Sequence, residues 1–247
     1  MGNESGTWIM HGKKESDPGC IHNMKELTCY IERAGFLPLF KNGIEGFSVE
    51  ENTMEEYWWT EDPRDPWKWR ELAAEEHKIA YGKFFCGKAG FISRDWLPYF
   101  ANYRRDGYDF DALWEDEKAN RRQKRIMDLF ETEKELFSFE MKEKAGFGKE
   151  GEKNFDGTLS ALQQEMYLTA SCFRRKKNRK GEEYGWSVAL YATPESIFGY
   201  DHVRSAYKEE PSESYGRIVS HVKKLYSSAK DADIRKTIGK KPQNSAF

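Results

Sequence analysis

Long apolar runs are missing from this 247-residue chain: no stretch of about 18 consecutive apolar residues occurs, which argues against a membrane-spanning helix. Cysteine is scarce. Cys20, Cys29, Cys86 and Cys172 stand far apart and form no CxxC pair. That usage fits reduced thiols in a cytoplasmic protein and argues against a disulfide framework. The opening MGNESGTWIMHGKK lacks the basic-then-apolar pattern of a secretory signal. Cys20 and His22 are close in sequence, but two ligands without a second pair do not make a metal site. The histidines His11, His22, His77, His202 and His221 show no HExxH spacing, and Glu75-Glu76-His77 reads as helix surface. Phosphate loops of the GxGxxG and GxxxxGK[ST] types are absent, as is a GxSxG elbow. These absences exclude the commonest nucleotide, hydrolase and metal chemistries, and no cofactor is expected.

What the chain does have is aromatic surface and uneven charge. Aromatic residues make up 15% of a chain that is only 38% hydrophobic and 33% charged. Each aromatic side chain buries a large area, so a sizeable core is feasible and disorder is disfavoured. The net charge of -2 hides a division. Residues 1–117 carry 14 Lys/Arg against 23 Asp/Glu, and residues 118–247 carry 26 against 19. A basic half suits a polyanionic partner, although segregated solvated charge would look the same. The paired carboxylates Glu50-Glu51, Glu55-Glu56 and Glu209-Glu210 read as solvated faces.

Along the first half, residues 1–22 lack periodicity and read as a mobile leader or a surface arm. The spacing of Leu27, Tyr30 and Ile31 predicts a helix over 24–34 that stops at Gly35. The apolar run Phe36-Leu37-Pro38-Leu39-Phe40 follows, then an acidic loop with a helix cap at Ser48. Asp65 and Pro66 predict the start of a helix that runs to about Phe85. Ser93 is expected to cap another helix, with Trp96, Phe100 and Tyr103 on one face and a stop at Gly107. The aromatic stripes of this half read as core.

From residue 118 four features come in order. A helix over about 119–131 carries Arg121, Arg122, Lys124 and Arg125 around its start. A short helix over 138–145 ends at Gly146. A third helix over about 156–165 turns Leu159 and Leu162 inward, leaving Thr158, Ser160, Gln163 and Gln164 for the outer face. Last comes a strand-turn-strand pattern, MYLTASCFRR, KKNRKG and EEYGWSVALY. Three helices and a hairpin are the order of a winged helix-turn-helix, whose third helix enters the major groove of duplex DNA. The hairpin tip is then the wing. It holds Arg174, Arg175, Lys176, Lys177, Arg179 and Lys180, a cluster suited to phosphate contacts. The same order also occurs in winged helices that bind only proteins, and lysines at a hairpin tip also protect exposed strand edges. Ser212 to about Leu225 predicts an amphipathic helix with Ile218, Val222 and Leu225 inward, followed by a basic, apolar-poor tail that would either fray or add nonspecific phosphate affinity.

Residues 81–105, YGKFFCGKAGFISRDWLPYFANYRR, resemble a stretch of the bacterial AlkZ-type DNA glycosylases. The matching pieces are Phe91-Ile92, Asp95-Trp96, Pro98, Phe100 and Arg104-Arg105. GFLPLF, DPWKWR, the KAGFG turn, YGWSVALY and TPESIFGYDH resemble the smaller group of AlkZ-related proteins, a likeness spanning about 24–225. The resemblance implies tandem winged helices forming a concave DNA-binding surface, with 24–115 as the first unit and Arg104 and Arg105 near the DNA. The glycosylases use a Gln-apolar-Gln or Gln-apolar-Asp motif after a Gly-Leu, because cleaving a glycosidic bond requires a polar group to position water. The corresponding place here, Gly35 to Phe40, has no Gln or Asp. The resemblance therefore carries the scaffold without the catalytic residues.

The resulting expectation is a mainly α chain with small β-hairpin wings, an α+β protein of tandem winged helix-turn-helix units. Its divisions are 1–22 as leader, 23–117 as the first unit, 118–194 as the winged helix and 195–247 as a C-terminal helical segment with a basic tail. The expected partner is double-stranded DNA, without a membrane. The alternatives are a divergent glycosylase acting on alkylated or crosslinked DNA and a protein-interaction module. No oligomeric state follows from the sequence.

Overall fold

The computed structural model describes residues 10–178 and 180–242. It is an α+β chain whose helices surround one six-stranded antiparallel sheet. Helix α1, Met24–Ala34, is capped by Asn23 and ends at Gly35, whose φ of 83° suits a residue without a Cβ. Strand β1, Phe36–Pro38, is buried along its whole length. Ser48 caps the short α2, Val49–Asn52, as its sequence predicts. Part of the expected leader is tied down: Lys13 bridges Met54, and Ile21 bridges Thr53 and is buried.

Asp65 caps α3, Pro66–Glu76, but this helix stops well short of Phe85. His77 takes a left-handed conformation, and strand β2, Ile79–Phe85, begins just after it. The reason for the difference lies in the burial of β2, which is sandwiched between β3, Lys88–Ser93, and β5, Thr169–Lys177. A central strand covered on both faces has no alternation, and its apolar run cannot be told from helix by periodicity. Gly82 and Gly90 face each other in the β2–β3 register. A Cβ at Gly82 would collide with the ring of Phe84, and one at Gly90 with the ring of Phe85 and with the Leu37 carbonyl. The two glycines thus make room for the aromatic core. Ser93 ends β3 and caps no helix; α4, Leu97–Arg105, starts after Trp96.

The next helices are α5, Phe110–Glu115, and α6, Arg121–Met127, the latter closed by a capping box of Asn120 and Gln123. Strand β4, Leu136–Phe137, α7, Ser138–Lys144, and α8, Phe155–Gln164, follow. Strands β5 and β6, Glu183–Ala192, form the predicted hairpin. The short α9, Pro194–Phe198, and α10, Tyr200–Val203, lead to α11, Pro211–Leu225, and α12, Asp231–Ile238. Two expectations fail here. Leu225 is exposed, and the tail expected to fray forms α12, which buries Ile234 and Ile238. No described helix is long and apolar enough to cross a membrane.

Apolar side chains gather into two clusters. One lies around α1, β1–β3, α4 and α11, with Phe36, Phe84, Phe91, Phe100, Ile218 and Ile238 at its heart. The other lies among α5–α8, with Ile126, Met141, Leu159, Leu162 and Leu168. The strands, the predicted β5–β6 hairpin among them, belong to one continuous sheet in the order β1-β3-β2-β5-β6-β4. Its weak seam is between β2 and β5, where Tyr81 pairs with Ala170. Side chains reinforce it: Thr169 Oγ1 donates to the Tyr81 carbonyl at 2.9 Å, and the Lys83 amide donates to Gln163 Oε1 at 3.1 Å.

Arg105 joins the clusters. Only 1% of its side chain is exposed. Its guanidinium donates to both carboxylate oxygens of Glu195, to the Met166 carbonyl at 2.6 Å and to the Tyr207 hydroxyl at 3.2 Å, and it lies over the Tyr167 ring. Removing one partner of a buried pair strands the other. Arg105→Met is expected to cost about 3 kcal/mol in chemical denaturation, and Glu195→Gln, which keeps an acceptor, clearly less. Two equally small losses would refute a structural role for the pair.

At the end of α8, the Glu165 carboxylate accepts from Gln123 Nε2 at 2.6 Å. Burial pushes its carboxyl pKa upward, against the lowering effect of Gln123. A raised carboxyl contributes its stability below the unfolded pKa and loses it as pH rises through the folded value. Glu165→Gln should therefore raise Tm more at alkaline than at acidic pH in scanning calorimetry. A pH-independent change in Tm would assign the titration elsewhere.

Candidate nucleic-acid interface

The β5–β6 hairpin carries the most concentrated cationic surface. Its strands pair from Thr169 opposite Ala192 to Lys177 opposite Glu183, with register shifts at Ala170/Cys172 and Arg174/Lys176. Asn178 organises the turn. Its Oδ1 accepts from the Lys180 and Glu182 amides at 2.9 and 3.1 Å, and its Nδ2 donates to the Glu182 carboxylate at 2.8 Å. Gly181 and Gly185 supply positive φ where the chain turns and twists.

The predicted cations differ in availability. Arg174 pairs with Glu75 of α3 at 2.8 Å, so its charge is partly spent. Arg175, Lys177 and Lys180 are exposed. Lys176 lies 4.8 Å from the centre of the Phe139 ring, which stacks in turn on Phe137. Among the described residues these four make no ion pair. Arg179 lies outside the described residues. On α6, Arg121 is exposed, whereas Arg122 and Arg125 share the Glu152 carboxylate at 3.1 and 3.7 Å.

Two other predicted groups do not reach the surface. Thr158 is 6% exposed and Gln163 2%. Thr158 donates to the Asn154 carbonyl, and Gln163 to the Leu159 carbonyl as well as serving β2. Positions 158, 159, 162 and 163 form one broad buried stripe because α8 is covered by β2 on one side and α6 on another. Ser160 and Gln164 remain half-exposed, with Gln164 Nε2 donating back to the Ser160 carbonyl. Arg104 and Arg105 are also withdrawn. Arg104 donates to the carbonyls of Phe84 and Ile238, and Arg105 holds the buried junction. An aromatic face ending in two arginines gives no sign in sequence of whether those arginines point out or tie elements together.

The hairpin also borders a cleft, whose opposite wall comes from the half where the aromatic stripes read as core in the sequence. It has a volume of about 700 Å³ and lies between α3, the loop before it and the hairpin, with Trp59, Trp67, Leu72, Arg70, Arg175 and Trp186 on its walls. Trp186 is 80% exposed and Trp59 39%. Glu183 to Trp186 are all exposed, the register against β5 shifts here and Gly185 takes positive φ, so simple strand alternation does not mark Trp186 as outward-facing. The loop is shaped by Asp65, whose carboxylate accepts from the amides of Trp59 at 3.1 Å and Trp67 at 2.9 Å. Trp59 and Glu61 both take positive φ, a strained geometry that this carboxylate helps to hold.

No curated protein and no solved structure matches the chain. A family model does: the one described as AlkZ related matches residues 21–239, nearly the whole of the described chain. With α6, α7, α8 and the β5–β6 hairpin inside that span, the chain belongs to the AlkZ-related family.

Proposed function

We propose that this protein binds double-stranded DNA, with the β5–β6 hairpin as a wing over the phosphate backbone and the start of α6 as a second contact. The observation that carries this reading is a group of four cations, Arg175, Lys176 and Lys177 at the end of β5 and Lys180 in the tightly organised turn, without an ion-pair partner among the described residues. Unpaired cations at such a tip also guard a strand edge, but a backbone-binding wing uses them on phosphates, and the salt dependence of binding separates the two. Family membership supports a DNA-repair-related setting. The winged-helix reading of 118–194, and of 23–117 as a first unit beside it, belongs to the same proposal.

Specificity follows from what α8 presents. With Thr158 and Gln163 buried, Ser160 and Gln164 are the polar groups left on it to meet base edges. Affinity is then set mainly by phosphates, with weak sequence discrimination. The segment where the glycosylases carry their polar motif is β1 and its continuation, where Phe36, Leu37 and Leu39 are buried. That arrangement supports binding without base excision.

The test is a fluorescence-anisotropy titration with a mixed-sequence duplex of about 25 base pairs across a range of salt. Replacing Arg175, Lys176, Lys177 and Lys180 together with Ala should weaken binding on every sequence and reduce the slope of log K against log salt by about 3 to 4. Unchanged affinity and slope would remove the wing.

A further inference from the structure

The cleft beside the hairpin has the composition of a stacking site. Large exposed aromatic surface is costly to leave in water and marks a place of contact. Here Trp186 and Leu72 are both largely exposed and face one depression with Trp59 and Trp67. The volume of about 700 Å³ falls within the range of small-ligand sites.

The cleft wall is electrically defined. Arg70 is 8% exposed and is sandwiched between the Trp67 ring at 3.9 Å and the Phe173 ring at 4.5 Å. Its Nη2 donates to Glu71 at 3.2 Å, and its buried Nε has no hydrogen-bond partner. Arg175 adds an exposed cation from the hairpin side. Of the acids on the walls, Asp65 is engaged by backbone amides and Glu71 by Arg70, leaving Glu61 at the rim. Trp67 gives its ring to Arg70 and Phe40, so the open aromatic face in the cleft is that of Trp186; this indole beside Arg175, continuous with the cationic wing, matches an occupant that is planar, polar at its edges and attached to a phosphate. A purely apolar peptide would not use the cations, and a duplex with all its bases stacked offers no free ring face.

We infer that the cleft takes an unpaired nucleobase of DNA, stacked on the Trp186 indole, while its phosphate lies toward Arg175 and the wing. This inference rests on the DNA reading above and names the part of the DNA that the site beside the wing holds. Base stacking on an aromatic side chain tolerates any sequence, which agrees with the shortage of base-reading groups on α8.

The probe is single-stranded oligothymidylate of about eight residues, followed by quenching of tryptophan fluorescence, beside the fully paired duplex followed by anisotropy. Saturable quenching by the single strand is expected. Trp186→Ala and, separately, Leu72→Glu should each weaken single-strand binding by about tenfold or more while leaving duplex affinity within about twofold. Both side chains are largely exposed, so circular dichroism should show an intact fold. Duplex binding with a steep salt dependence, together with absent quenching or no effect of either variant, would overturn the cleft and leave the wing standing. Single-strand binding that depends on Trp186, with no duplex binding, would keep the cleft and remove the wing. Equal losses on both probes would show that Trp186 serves the hairpin as a whole and would also overturn the cleft.

Discussion

The fold depends on a guanidinium kept out of water. Arg105 sits at the end of α4 and binds the last turn after α8, the start of α9 and Tyr207 together. Burying a guanidinium is tolerable only when most of its donors are matched, and here both terminal nitrogens are, by a carboxylate, a carbonyl and a hydroxyl on three separate segments, while the buried Nε has no partner. Each of these must arrive for the others to be worth burying. The Met166 carbonyl is presented by a residue at positive φ, so the link from α8 into β5 is shaped around this contact. The hairpin's position follows, because β5 starts three residues later.

The same logic explains how a seam narrow in backbone pairing joins two apolar clusters. Between β2 and β5 the ladder is short, and the side chain of Gln163 takes over where backbone pairing stops. A helix residue thus completes a sheet. The consequence for function is a division of labour: polar groups of α8 and α4 near the junction are consumed by the scaffold, whereas the hairpin beyond Arg174 leaves the protein body and keeps its charge for solvent or a ligand. Cations and exposed indoles meet at the hairpin's base, where α3 and the Asp65-shaped loop approach it.

Local signals were the legible ones. Caps at Ser48 and Asp65, the stop at Gly35 and the alternating strands around KKNRKG could be read because each depends on a few neighbouring residues. The helix order from 118 onward followed from spacing alone. Illegible were features decided by distant partners. IAYGKFF reads as a helix extension because its burial on both faces is imposed by strands far along the chain. Gln163 and Thr158 carry the chemistry of base readers, yet both are buried, Gln163 against β2 and Thr158 bonded back to its own helix. Arg104 and Arg105 carry the charge of phosphate contacts, yet carbonyls and Glu195 at sequence separations from 20 to 134 claim them. Trp186 shows the converse, an aromatic residue whose strand neighbours leave it in the open.

The most direct test of the central claim is hydrogen–deuterium exchange of the protein with and without a bound duplex. Slowed exchange is expected in the β5–β6 turn and at the start of α6, with α11 and α12 unchanged. Protection confined to α11, α12 or the face of α1, with none in the hairpin, would contradict it.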